Sequence, residues 1–386
     1  MVQFGFEKNS GLFLLKLTVL FPIWVEARDD SSASSHGLAF TSTNVQNVNQ
    51  MDYQTYQNKH ALYEEEIMSS TQELLLMPKA IPNEPADTKS DQSINGTQFK
   101  SMLLEELKAD GVVRIDQILT PETTTQLLSY VNQKKIDTEM ECITKGWVSN
   151  VEDSWLCRNR FANVLSKNNR WDLLLPLPDN DEIDSQSNSK HASTSRNDVL
   201  MQSLDEMVGE NAILGKIIEN YLGLNAELYE FATLFSDSGS ERQVLHPDIP
   251  ALSPPPPLLT CFIALQNVDC NMGPTTFVPK SYLPQYHDAL RDPSEHPRML
   301  RSVCNKIALL NGGDCTLFDP RTLHAGGANK SDLRRCLFVI SFRNPALEDP
   351  GASNNPGSLR PELKHQKMTL TVIREMIEVW KKERKS

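Results

Sequence analysis

Apolar and polar positions follow two rhythms along this chain. Early on, Phe99, Met102, Leu103 and Leu107 recur at helical spacing, with Glu105 and Glu106 outward. Gly111 ends that helix, and residues 112–115 read as a short strand. Thr120 then caps a helix that opens on Pro121 and runs through Leu127, Leu128 and Val131. Residues 138–180, with Trp147, Trp155 and Trp171, read as an aromatic and apolar covering layer, and 179–198 as a polar loop. Helices near 199–208 and 211–222 precede a strand at 227–234. Beyond it, short strands alternate with turn-forming loops at 254–257, 273–274 and 311–313, as in a sandwich or jelly roll. The expected fold class is mainly β with flanking helices. Leu370, Ile373, Ile377 and Trp380 close the chain on one helical face.

The N-terminal third reads differently. An apolar run at 11–24 follows Lys8, and Val25-Glu26-Ala27 resembles a cleavage site, so 1–27 has the outline of a signal or organelle-targeting segment. The run is too short for a comfortable transmembrane helix, and without targeting the chain is expected in the cytoplasm. Residues 28–96 are polar and expected to be mostly disordered, with one short helix around 63–68. Asn95-Gly96-Thr97 would accept a glycan only on a secretory route. The working domain is expected at 97–345, with a C-terminal extension at 346–386.

Charge and cysteine usage exclude some classes. A net charge of −12 argues against nucleic acid as a partner, because phosphate binding needs a basic face. Much of that charge lies outside the expected core, since 28–95 carry ten Asp/Glu against four Lys/Arg. The seven cysteines are dispersed and include no C-x-x-C, which fits neither a zinc ribbon nor a disulfide framework.

Candidate chemistry concentrates in His246-Pro247-Asp248, His324 and Arg335. Two imidazoles and a carboxylate are the ligand set of a mononuclear non-haem Fe(II) site with open positions. His246 and Asp248 are two apart and share one face of a strand. Arg335 adjoins the apolar run 337–340, where a guanidinium needs an anionic partner such as a carboxylate. Arg334 would face the other way. Gln243, Thr275 and Thr276 are further candidates for contact with a cosubstrate or substrate. His287 and His296 have no partner pattern and read as surface residues.

Four blocks resemble the phytanoyl-CoA dioxygenase-like family of Fe(II)/2-oxoglutarate oxygenases. They are 99–115; 243–248; 262–267 with Met272-Gly273-Pro274-Thr275-Thr276-Phe277-Val278-Pro279-Lys280-Ser281-Tyr282; and 312–319 with His324 through Arg335. The resemblance implies a double-stranded β-helix. It implies Fe(II) held by His246, Asp248 and His324, with 2-oxoglutarate clamped by Arg335 and O2 as oxidant. Phe262 fills the family's aromatic position on the strand after the metal motif. The implied reaction hydroxylates a small or lipid-like molecule while 2-oxoglutarate becomes succinate and carbon dioxide. A carboxylate at Asp248 favours oxygenation over halogenation. Lys280-Ser281-Tyr282 departs from the family's usual His after Ser, and the Pro-rich 250–257 segment leaves the substrate open. Two alternatives stand beside this reading: a non-catalytic metal-binding jelly roll, and a cupin-type oxygenase or isomerase that does not use 2-oxoglutarate.

Overall fold

Helix α1 (Gly96–Asp110) stops where expected: Gly111 has φ +76°, and a Cβ there would lie 2.4 Å from Thr322 Oγ1. The computed structural model describes residues 64–66, 68, 72–76, 96–165, 168–177, 190–251, 255–347 and 357–384. The targeting segment, most of 28–95 including the sequon's Asn95, and residues 252–254 of the Pro-rich segment lie outside them. Among the described residues, no helix is long and apolar enough to cross a membrane.

Ten strands among these residues make two sheets. They are β1 (Gln72–Leu74), β2 (Val112–Ile115), β3 (Arg170–Leu174), β4 (Glu227–Ser236), β5 (Leu258–Ala264), β6 (Thr275–Phe277), β7 (Asn305–Ile307), β8 (Cys315–Phe318), β9 (His324–Gly326) and β10 (Arg335–Arg343). The larger sheet has the order β2-β8-β5-β10-β4-β3 and is antiparallel throughout. The smaller has the order β1-β7-β6-β9, with only β1 and β7 parallel. Two such sheets with flanking helices are the jelly-roll architecture that the alternation implied.

Strand alternation then sorts the large sheet into two faces. Phe231, Phe235, Phe338, Ile340 and Phe342 point outward into the main core, beneath helices that include Pro121–Thr144, Lys190–Val208, Ile213–Leu222 and Leu370–Glu383. Ala264, Phe318 and Leu337 point inward and meet Phe277 and Met272 from the small-sheet side. Both faces of β10 are covered, which is why its sequence reads as a nearly continuous apolar run.

Three local expectations change. Residues 170–174 form β3 rather than a covering layer, because their backbone pairs with β4 from Arg170↔Ser236 to Leu174↔Ala232. Helix 190–208 begins inside the expected polar loop: helical backbone bonding needs no apolar side chain, so polar residues lengthen the helix that buries Leu200 and Leu204. The helix capped by Thr120 extends to Thr144, and its Thr120 Oγ1 accepts from Thr123 N at 3.2 Å.

Candidate active site

His246 and His324 face each other across an isolated antiparallel bridge, with N–O distances of 3.0 and 2.9 Å. Each imidazole is oriented by the chain two residues before it. His246 Nδ1 lies 2.8 Å from the Val244 carbonyl, and His324 Nδ1 lies 2.9 Å from that of Thr322. A carbonyl can only accept, so Nδ1 carries the proton in each ring and the Nε2 lone pair is left free. His246 Nε2 lies 3.8 Å from Asp248 Oδ1, and His324 Nε2 lies 3.5 Å from Asp248 Oδ2. One donor atom from each residue falls within 4.8 Å of the others, a spacing that could hold a metal ion.

The electrostatics suit neutral ligands. Burial lowers the pKa of His324 to about 4, and burial with the neighbouring His324 lowers that of His246 to about 4. Asp248 lies deep in the fold but opens onto a cavity, where 41% of its side chain stays accessible. Burial raises its pKa. Aromatic rings close the other side of His324, with Phe318 at 5.0 Å, Phe277 stacked at 5.8 Å and Phe262 at 6.3 Å between centroids. These rings keep water from one side of the site.

The donors line a cavity of about 270 Å³ that Gln243, Phe262, Thr275 and Arg335 also line. Alternation on β6 decides between the threonines: Thr275 faces this cavity, whereas Thr276 lines a separate cleft. Gln243 is largely committed to the framework. Its Oε1 accepts from Gly326 N at 2.9 Å, and its Nε2 donates to Leu165 O at 3.3 Å.

Arg335 is fully buried. Its Nη1 donates to the Gly273 carbonyl and its Nη2 to Ser236 Oγ at 3.0 Å, while Nε has no hydrogen-bond partner among the described residues. No carboxylate among those residues pairs with it. Burial lowers its pKa to about 10, so it remains a cation at neutral pH. Arg334, on the opposite face, pairs with Asp237, with Nη2 3.0 Å from Oδ2.

Several residues in and around the site gave no signal in the sequence. Arg170 is 1% exposed and donates to the same Ser236 hydroxyl as Arg335. Ser281 accepts from Leu323 N at 2.7 Å and donates to Val278 O at 2.6 Å, fixing the residue before His324. Glu64 accepts from Leu245 N at 2.7 Å and lies 3.3 Å from His296 Nε2. Burial pushes the Glu64 pKa up to about 7. Asp172, Glu230 and Ser358 line the same cavity as the donors. His287 and His296 are not surface residues. His287 is buried with Nε2 2.8 Å from Arg321 O, and only 12% of the His296 side chain is exposed. A histidine between apolar neighbours can satisfy itself on backbone groups, which leaves no partner pattern to read.

Residues 107–336 match the family described as phytanoyl-CoA dioxygenase (PhyH). No curated protein matches the chain. Among solved structures, the non-heme alpha ketoglutarate dependent epimerase SnoN from nogalamycin biosynthesis is 19% identical, covering 67% of this chain and 90% of that one, with TM-score 0.43. AviO1 from Streptomyces viridochromogenes Tue57 is 15% identical over 65% and 97%, with TM-score 0.41. The alpha ketoglutarate dependent carbocyclase SnoK is 15% identical over 63% and 83%, with TM-score 0.40. The family match spans more than half of the chain and includes His246, Asp248, His324 and Arg335. The chain therefore belongs to the phytanoyl-CoA dioxygenase family, as a non-haem iron, 2-oxoglutarate-dependent enzyme of the oxygenase type.

Proposed function

We propose that this enzyme hydroxylates a small molecule, with His246, Asp248 and His324 as the iron ligands and Arg335 as the clamp for the distal carboxylate of 2-oxoglutarate. The observation that carries the reading is the pairing of two features on one cavity. Three donors converge with their lone pairs free, and a buried guanidinium has no carboxylate partner among the described residues. Bound Fe(II) would supply oxygen activation at positions that the three protein ligands leave open.

The residues themselves do the rest. The two backbone carbonyls behind the imidazoles hold Nδ1–H and leave the Nε2 lone pair free to ligate. Arg335, fixed by Gly273 O and Ser236 Oγ, would orient the cosubstrate, and Thr275 would add a hydroxyl on the same wall. Phe262, Phe277 and Phe318 exclude water beside His324. Asp248 occupies the position where a smaller residue would admit a halide, which favours hydroxylation. The overall conversion takes one C–H bond, O2 and 2-oxoglutarate to one C–OH group, succinate and carbon dioxide.

The test is an anaerobic Fe(II) titration followed by 2-oxoglutarate. A weak visible metal-to-ligand charge-transfer band and oxygen-dependent succinate release are expected. Iron-loaded, folded protein lacking both would overturn the reading.

A further inference from the structure

The cavity is charge-polarised along β10. Arg335 and Ser341 stand on the same face six residues apart, roughly 20 Å at about 3.3 Å per residue. Near the first, Arg335 and Arg170 both donate to Ser236 Oγ. Near the second, Glu230 is in register with Ser341 and accepts a hydrogen bond from its hydroxyl. Asp172, on the edge strand β3, faces the same space, and Ser358 lines the cavity with both carboxyls. Both line the cavity with Asp248, and among the described lining residues Arg335 is the only Lys or Arg.

Asp172 Oδ1 is buried in this wall with no hydrogen-bond partner among the described residues. A buried acceptor left open is costly unless a donor satisfies it. The electrostatics agree. Burial, with the charge of Asp248 second, raises Glu230 to about 8; burial raises Asp172 to about 7. A cation seated here would remove the cost of ionising both groups. A phosphate or carboxylate would instead push both carboxyls further toward the protonated form and gain no charge pairing from them.

We propose that Asp172 and Glu230 form a cation-recognition subsite, and that the molecule oxidised here carries an amine or other ammonium-type group seated against them. The word "oxidised" rests on the oxygenase reading above; the subsite stands on the cavity and its carboxyls. Ser341, in register with Glu230, holds that carboxyl on the cavity face. His246, Asp248 and His324, which would hold the iron, line the same cavity as this subsite and Arg335.

The experiment is anaerobic calorimetry on the full chain loaded with Fe(II) and 2-oxoglutarate, using three probes of matched length: pentylammonium, pentan-1-ol and pentanoate. Pentylammonium is expected to bind about tenfold or more tightly than either, a difference of about 1.4 kcal/mol. The double variant Asp172→Asn/Glu230→Gln should lose that preference and keep the charge-transfer band. Equal affinity for the three probes, no pentylammonium binding at millimolar concentration, or a preference that survives in the double variant would each overturn the subsite. If the double variant does not fold, each single variant must weaken pentylammonium binding more than pentan-1-ol binding; equal losses also overturn it. A wild-type band without ammonium preference removes the subsite alone. An ammonium preference without a band, repeated on metal-free protein, removes the oxygenase reading and leaves the subsite standing.

Discussion

His246 and His324 exchange both backbone hydrogen bonds across one bridge, which holds their ring centroids 4.6 Å apart. The spacing of the two candidate metal donors is thus set by sheet-like pairing and does not depend on long, flexible side chains. Only Asp248, anchored by its N–H to Pro320 O at 2.9 Å, must complete the set.

Asp248→Ala is therefore expected to spare the imidazole pair and weaken Fe(II) binding by about 100-fold or more, beyond the roughly 10–100-fold typical of outer-shell changes. Competition with a chelator measures it. Unchanged affinity would exclude Asp248 as a ligand.

Arg335→Ala is expected to raise the dissociation constant of 2-oxoglutarate by about 30-fold or more, in the range of about 2–5 kcal/mol seen when a buried charge pair loses one partner. Arg335→Lys should rescue little, because one ammonium cannot reproduce a planar fork fixed on Gly273 and Ser236. Arg334→Ala, which breaks a partly exposed pair with Asp237, should cost about 1 kcal/mol or less of stability and leave cosubstrate binding intact. Anaerobic titration of the charge-transfer band separates the three; equal effects at 334 and 335 would refute the clamp.

Glu230 gives a pH signature. Its folded pKa, about 8, lies above the ordinary carboxylate value, so the folded state holds a proton that the unfolded chain releases. Its contribution to stability is full below about pH 4.5 and declines as pH rises toward 8. Glu230→Gln should flatten that decline, with the variant gaining on wild type by up to a few kcal/mol at pH 8, at about 1.4 kcal/mol per pKa unit. Urea denaturation of metal-free protein at pH 5 and pH 8 checks it. A gap that widens toward acid would show the sign to be wrong.

Gly273→Ala should destabilise the fold by about 1–3 kcal/mol or more. The backbone there has φ +69°, and a Cβ would meet Gly327 O at 2.4 Å. Because the Gly273 carbonyl also accepts from Arg335, the same variant should weaken 2-oxoglutarate binding. Full affinity in a destabilised variant would detach the two effects.

The sequence carried the parts of this site that depend on local spacing. His-x-Asp predicts one strand face, but no strand forms there: His246 sits on an isolated bridge to His324 and Asp248 in the bend after it, while the 78 residues to His324 do leave room for the chain to return. The apolar run after Arg335 marks β10, and alternation then turns Arg335 inward and Arg334 outward. What it did not carry was set by tertiary pairing. Residues 170–174 mix Arg, Trp and Asp with two leucines and look like a surface cover until β4 pairs with them. Once β3 is in the sheet, Arg170 and Asp172 fall on the cavity face by simple alternation. Glu64 and Ser358 come from distant segments with no periodic signal, so only the folded chain brings them to the site.

Glu64 and β1 have a practical consequence for how the protein ages and how it is handled. A cut that released Glu64 and β1 would remove the strand that pairs with Asn305–Ile307 and the acceptor from the Leu245 amide, one residue before His246. The helices and the large sheet would survive such a cut, while the short bridge carrying the first histidine would lose its outer support. A clipped preparation would keep its circular dichroism and shed its iron, so inactive batches would look well folded.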